Sequence, residues 1–431
     1  MNPRKIVLKA LIDFFENMGY SNLTLDGILK EASLDNKDKA FVSNAFYGVI
    51  ERKITLDYII SKLSTTKINK MSPLILNVLR LGLYQMIYMD KVPDNAAVNE
   101  SVNLVKKSKF KNLSGFVNAV LRSYLRNPVK LPQGEDNRAL SIIYSCPEWF
   151  IKELSEYLGK EECIKFLENS LLPPPIYARV NTLKTTEEDL LKAFEKNGIE
   201  CEKTKLNNAI KIGRISAIAK LEEYKKGHFY IQDIASQIAV NTFSCKSGDR
   251  VLDICSAPGG KTFTTAQLME NTGEIISCDL HNHRVKLIAD GAKRLGINIV
   301  KAMQNDATCI NEKLGNFDKI ICDVPCSGFG DIRRKPEIKY KDSSDLTNLP
   351  ELQYNILNNS AKYLKKGGYI LYSTCTLRKV ENEDIVERFL NDHPDFSLVK
   401  SSVFGVSGYY HKLLPNNYDC DGFFFSLLMR K

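Results

Sequence analysis

Apolar residues recur at helical spacing through the first third of the chain. Ile6, Ala10, Leu11 and Phe14 fall on one face of the stretch Met1 to Tyr20, which predicts an amphipathic helix. The three-and-four spacing returns in Leu56-Ile59-Ile60-Leu63 and in Leu76-Leu79-Leu83-Ile87. Ser72-Pro73 opens the latter, with serine at the N-cap and proline in the first turn. Pro93-Asp94 interrupts the pattern, Ala96 to Lys107 resumes it, and Phe116 to Arg122 carries it on. Asn127-Pro128 and Leu131-Pro132-Gln133-Gly134 read as a linker. An all-helical domain over residues 1–135 is the expectation.

The pattern then changes twice. Residues 140–226 start with helices around Trp149 and Cys163 and break at Pro173-Pro174-Pro175. A strand over Ile176 to Asn181, a helix over Glu187 to Asn197 and a strand region ending at Ile212 predict a small α+β, RRM-like module. From 227 to 431 strands and helices alternate, the pattern of an open, doubly wound Rossmann-like sheet. Its predicted strands are Arg250–Ile254, Glu274–Asp279, Phe317–Asp323 and Tyr369–Ser373, with helices over Thr262–Met269, Arg284–Leu295 and Leu352–Leu364. The fold class is α/β, preceded by an all-α domain.

Composition narrows the class. Charged residues make up 26% and hydrophobic ones 44% of the 431, and no apolar run approaches the ~18 residues of a membrane span. The N-terminal stretch has neither an uninterrupted apolar core nor a small-residue cleavage site, so a cytoplasmic location without membrane contact is expected. The eleven cysteines form no C-x-x-C pair, and five histidines do not complete a zinc site; no metal is expected. Net charge is uneven. Residues 1–140 hold 21 Lys and Arg against 13 Asp and Glu, whereas the remainder holds 39 against 38. The basic end suits a nucleic-acid partner, although a solvated lysine-rich face would look the same.

Three short segments and two single acids carry candidate chemistry. Asp253-Ile254-Cys255-Ser256-Ala257-Pro258-Gly259-Gly260-Lys261-Thr262 follows a strand and opens a helix. Glycines admit close backbone approach, and the helix N-terminus offers N–H groups suited to a methionine carboxylate. The spacing is neither a Walker A loop nor a dinucleotide fingerprint. Asp279 ends the next strand, where an acid can accept from both ribose hydroxyls, and Asp306 follows a third strand region where adenine would lie. Asp323-Val324-Pro325-Cys326-Ser327-Gly328 and Tyr372-Ser373-Thr374-Cys375-Thr376 end two further strands. Strand C-termini of such a sheet face one crevice, so both cysteines are expected to converge there with Asp323.

These segments, with Ile332-Arg333-Arg334-Lys335-Pro336 and Arg179-Val180-Asn181-Thr182-Leu183-Lys184, resemble the Sun family of RNA cytosine-C(5) methyltransferases. The first domain resembles the RNA-binding fold of the antitermination factor NusB. Together the likeness spans nearly the whole chain and is strongest from about residue 230. It implies S-adenosylmethionine as methyl donor, held by Cys255, Ser256, Ala257, Pro258, Gly259, Gly260, Lys261, Asp279, Asp306 and Asp323. It further implies Cys375 as covalent nucleophile, Cys326 as the residue assisting product release, and Asp323 and Lys261 beside the reacting base; the general base stays open. Arg333, Arg334 and Lys335 are read as phosphate contacts. The implied substrate is 16S ribosomal RNA, at cytosine 967 in that RNA's reference numbering, and no obligate protein partner is evident. A tRNA cytosine methyltransferase and a non-catalytic NusB-type RNA-binding factor are the competing readings. Val324 in place of the usual alanine and Asp331 before Ile-Arg-Arg depart from the family pattern.

Overall fold

Among the described residues, helices are the only regular structure in the first 171 positions. The computed structural model describes residues 2–17, 21–32, 34–215 and 217–431. It divides into one unit of Met1–Leu171 with Arg334–Tyr340 and a second of Leu172–Arg333 with Lys341–Lys431. The first contains helices α1 (Pro3–Asn17), α2 (Ser21–Glu31), α3 (Asn36–Glu51), α4 (Lys53–Leu63), α5 (Pro73–Tyr88), α6 (Asp94–Lys106), α7 (Ser114–Arg126), α8 (Asn137–Tyr144), α9 (Glu148–Leu158) and α10 (Lys160–Asn169). The helix expected from Met1 to Tyr20 is α1; Met1 and positions 18–20 lie outside the described residues.

The predicted apolar faces supply the core: Val7, Leu11, Phe46, Leu56, Ile60, Leu79, Leu83 and Leu121 are fully enclosed. Ser72 Oγ accepts from the Ile75 N–H with Pro73 in the first turn of α5, as its sequence dictates. Helices α8 to α10, expected to open the second module, group with the helical unit. Thr55 Oγ1 donates to the Ile142 carbonyl and Ser145 Oγ accepts from the Ile54 N–H, so hydrogen bonds as well as apolar faces draw α8 to α4. The segment Arg334–Tyr340 joins this unit from far along the chain. Lys339 Nζ donates to the Glu51 carbonyl and Tyr340 OH to that of Ile50, at the C-terminal end of α3.

The second unit opens with a four-stranded antiparallel sheet of order β2-β3-β1-β4. Its strands are β1 (Ile176–Val180), β2 (Cys201–Lys203), β3 (Ala209–Ile212) and β4 (Phe229–Ile231), with α11 (Glu187–Lys196) and α12 (Glu222–Lys225) between them. Asn181 Nδ2 donates to the Gly227 and Leu295 carbonyls, and Lys184 Nζ to those of Lys226 and Arg294. The Arg179–Lys184 segment thereby ties the small sheet to the larger one.

The larger sheet has strands β5 (Arg250–Asp253), β6 (Glu274–Asp279), β7 (Val300–Gln304), β8 (Phe317–Asp323), β9 (Leu364–Thr374), β10 (Phe396–Val399), β13 (Tyr410–Leu413) and β14 (Phe423–Arg430); a hairpin of β11 (Ser401–Val403) and β12 (Val406–Gly408) stands apart. The order is β10-β14-β9-β8-β5-β6-β7, with β13 beside β14. Strands β9-β8-β5-β6-β7 run parallel, and β14 and β10 are antiparallel additions. Helices α13 (Ile234–Phe243), α14 (Gly260–Leu268), α15 (Asn282–Leu295), α16 (Leu349–Ala361) and α17 (Glu383–Asp392) connect or cover the strands. The helix expected to reach Leu364 stops at Ala361, because Leu364 already pairs with Phe317 as β9 starts. The chain order reverses between β5 and β8, and a ligand crevice lies at such a switch point.

Candidate active site

Asp253 ends β5 fully buried and accepts from Thr262 Oγ1 at 2.6 Å, in a chain that continues to Ser277 Oγ. Burial pushes its carboxyl up to about 7, against the pull of that hydrogen bond. Its other oxygen, Oδ1, has no partner, and neither has the buried Asn305 Nδ2 just after β7. The following turn is pinned under β6: both Ser256 N and Ser256 Oγ donate to the Cys278 carbonyl. Gly259 sits at φ 107°, where a Cβ would also strike the Phe263 ring, so the turn that starts α14 must stay bare.

Asp279, at the end of β6, is almost wholly buried; it accepts from the His281 N–H and pairs with Arg284 Nη1 at 3.2 Å. Arg284 Nη2 reaches the Ala257 carbonyl at 2.7 Å, so one guanidinium links the acid to the glycine turn. Asp306 is exposed and engaged locally with the backbone and hydroxyl of Thr308, which hold its carboxyl below the usual range.

At the end of β8, Asp323 accepts from Ser373 Oγ and from Lys261 Nζ, each at 2.7 Å. Lys261 also meets Ser236 Oγ and lies over the Phe423 ring. Its burial works against the charge, but Asp323 overcomes this and the ammonium is held more firmly than usual. Cys326 Sγ and Cys375 Sγ approach to 3.1 Å as free thiols. The hydrogen bond with Cys326, then burial, pushes the Cys375 thiol well up.

The two cysteine turns are locked together. Ser327 Oγ meets Thr376 Oγ1 at 2.8 Å, the Val324 N–H donates to the Ser373 carbonyl, and the Gly330 N–H to that of Cys375. A Cβ on Gly330 would collide with the Gly422 carbonyl, so that crossing requires glycine. Behind them stands Glu381, with no solvent exposure. Its Oε2 accepts from the Ser327 N–H and Gln353 Nε2, both at 2.9 Å, and its Oε1 from Arg378 at 3.0 Å. Tyr372 OH donates to its carbonyl.

The sequence-predicted cofactor turn and strand-end acids therefore line up on neighbouring strands, and the cysteines converge. Glu381, Gln353, Arg378, Ser373 and Arg284 escaped sequence reasoning. Only the acid–amide–acid run Glu381-Asn382-Glu383 so soon after the Cys375 strand could have signalled the first of them. The basic run is divided between the two units. Arg333 donates Nε to the Leu172 carbonyl and Nη2 to that of Pro173, and its side chain is only 7% exposed. These bonds tie chain segments together. Arg334 and Lys335 belong to the helical unit. Among the described residues, no group of three His, Cys, Asp or Glu side chains is placed to hold a metal, and no helix is long and apolar enough to cross a membrane.

A parallel sheet with a bare glycine turn after its first strand and acids at the next strand ends is the architecture of a Rossmann-like methyltransferase. Three family models match the chain: NusB over residues 1–126, the RsmF/B-like ferredoxin-like domain over 146–219, and 16S rRNA methyltransferase RsmB/F over 240–429. A probable ribosomal RNA small subunit methyltransferase B of Bacillus subtilis (strain 168) is 39% identical, over 99% of this chain and 98% of its own length. One from Synechocystis sp. is 31% identical over 100% of both. The crystal structure of PH0851 aligns at a TM-score of 0.83 and 26% identity, over 100% of this chain and 99% of that one. The chain belongs to the 16S rRNA methyltransferase RsmB/F family, a family of S-adenosylmethionine-dependent enzymes.

Proposed function

We propose that this enzyme methylates carbon 5 of a cytosine in 16S ribosomal RNA through a covalent adduct on Cys375, at position 967 in the RNA's reference numbering. The observation that carries the mechanism is the pair of thiols 3.1 Å apart on two strand-end turns beside Asp323. The fit to the methyl donor rests on the bare Gly259 turn and the unpaired Asp253 Oδ1 and Asn305 Nδ2. Residues Cys255 to Gly260 would take its amino acid end, Asp279 its ribose and Asp306 its adenine side. A carboxylate has about four acceptor sites, so Asp279 retains capacity beyond its bonds to His281 and Arg284. Bound S-adenosylmethionine supplies an electrophilic methyl group.

Carbon 5 of cytosine is a poor nucleophile until a thiolate adds to carbon 6. Cys375 gives its proton to solvent and its thiolate forms that bond; the electron pair released onto the ring lets carbon 5 take the methyl group, whose former bonding pair stays on the donor's sulfur. Lys261 and Asp323, paired at 2.7 Å, face the polar edge of the ring and stabilise the adduct. A base then removes the carbon 5 proton, and the Cys375–carbon 6 bond breaks with its electrons returning to sulfur. Cys326, hydrogen-bonded to Cys375, is placed to promote that last step.

The test is covalent trapping. With cofactor and substrate RNA present, Cys326→Ala should accumulate a protein–RNA adduct that survives denaturing electrophoresis. Cys375→Ala should form none and transfer no methyl group. Trapping by Cys375→Ala instead would exchange the two roles. Absence of adducts in both, with wild-type methyl transfer intact, would remove the covalent route. The intact thiol pair also weighs against a purely RNA-binding factor, which would need neither cysteine.

A further inference from the structure

Away from the cysteines, towards the other end of β8 and β9, the second unit contains a cavity of about 630 Å³. Lys319 and Tyr369 line it near the beginnings of the β8 and β9 ladder, and Lys246 comes from the loop before β5. Four residues of strand separate Lys319 from Asp323, about 13 Å at a strand's rise per residue. The cavity is thus a separate site. Its floor is apolar, from Ile238, Val403 and Leu427, and its remaining wall is the β11–β12 hairpin.

Its chemistry is one-sided. Lys246, Lys319 and Lys400 line it, and among the described residues the lining includes no carboxylate. Lys319 is fixed, because its Nζ donates to the Phe243 and Ser244 carbonyls at the end of α13. Lys246 and Lys400 are exposed, and among the described residues no acid pairs with either. Ser401 and Ser402 also line it, and the Ser401 hydroxyl meets His411 Nε2 at 2.8 Å.

The hairpin tip adds an aromatic surface. Phe404 is 45% exposed and Val406 63% exposed, and Phe404 holds φ 46°. A bulky residue in the left-handed region is strained, yet here it turns a ring toward the cavity mouth and solvent. Unpaired ammonium groups bind phosphate, an exposed ring stacks on an unpaired base, and seryl hydroxyls suit ribose. A small anion would have no use for the exposed ring.

We propose that this cavity is a second RNA-contact site, which takes a phosphate and an unpaired nucleotide flanking the target cytosine in the substrate RNA. The inference rests on the RNA-methylation reading above. It adds to that reading a grip on substrate remote from the reacting atoms. Such a grip raises affinity and sets which flanking structure is accepted, and it does not touch the methyl transfer itself.

The experiment compares the full chain with Lys246→Glu/Lys400→Glu and with Phe404→Ala. The ligand is a fluorescent 16S rRNA fragment containing the target cytosine and single-stranded flanks, titrated at several salt concentrations. The double charge reversal should weaken binding at least about tenfold and reduce the log–log salt slope by about two, one for each lost phosphate contact. Phe404→Ala should weaken binding of the flanked fragment by about tenfold and leave a fully paired fragment unaffected. Both variants should keep wild-type cofactor affinity and wild-type turnover at saturating RNA. Unchanged RNA affinity and salt slope would overturn the proposal. So would loss of adenosine monophosphate binding alone, with RNA binding intact, since the site would then serve a small anion. Wild-type methylation of the same fragment is read separately: failure there would overturn the substrate reading, while the variant affinities still decide the cavity.

Discussion

The strand ends of the large sheet carry two unlike halves. Around β5, β6 and β7, buried polar atoms are left without protein partners: Asp253 Oδ1 and Asn305 Nδ2. Around β8 and β9 Glu381 receives donors on both carboxylate oxygens and on its carbonyl, although Gln353 Oε1 beside it is also buried without a hydrogen-bond partner. An unpaired buried polar atom costs free energy unless something else satisfies it, so the first half is built to receive a ligand. The second half is built to hold two sulfur atoms in register. Under the proposed mechanism, the second half depends on placement to within a fraction of an ångström.

Perturbing one half at a time sharpens this contrast. The largest effect should come from Glu381→Gln, which places an amide where Oε1 and Oε2 accept from Arg378, Gln353 and the Ser327 N–H. Single-turnover methyl transfer should slow about 100-fold, the scale of a misplaced reacting group. Cofactor affinity by calorimetry and the RNA KM should stay within twofold (about 0.4 kcal/mol) of wild type. A parallel loss of cofactor affinity would show that the halves are not separate.

A smaller effect, on the other half, is expected from Asp279→Ala. Removing a buried acceptor should weaken S-adenosylmethionine binding by about 1.5–3 kcal/mol, with adduct formation at saturating cofactor little changed. Unchanged calorimetric affinity would take Asp279 out of the binding half.

The smallest effect is a slope in stability. Asp253 keeps its proton in the folded enzyme up to about pH 7, whereas the unfolded chain releases it near the usual carboxylate value. The folded state therefore binds more protons between those limits, and this contribution is full at acid pH and lost as pH rises to about 7. Asp253→Asn should flatten that part of the profile. Urea midpoints for both proteins between pH 4 and 8 would reveal it; parallel profiles would mean that Asp253 is ionised throughout.

Much of the binding half was legible in the sequence, because glycines, strand-end acids and the strand–helix alternation are local signals. The cysteine motifs were legible for the same reason. The clamp behind them was not, since Gln353, Glu381 and Ser327 meet only through the fold. Strand β14 escaped the strand reading: Phe423 to Leu428 is buried on both faces, so it shows no alternation. The bonds of Arg333 to Leu172 and Pro173 were also hidden, because a run of basic residues suggests solvent.

The grouping of Arg334–Tyr340 with the helical unit has a consequence for the order of synthesis. A ribosome completes α1 to α10 long before it reaches Lys339 and Tyr340, whose bonds to the Glu51 and Ile50 carbonyls belong to that unit. The N-terminal unit emerges first but reaches its final set of bonds only after β8 and the Cys326 turn have been translated. Its maturation waits on residues translated after the Cys326 turn rather than on its own first 171 residues.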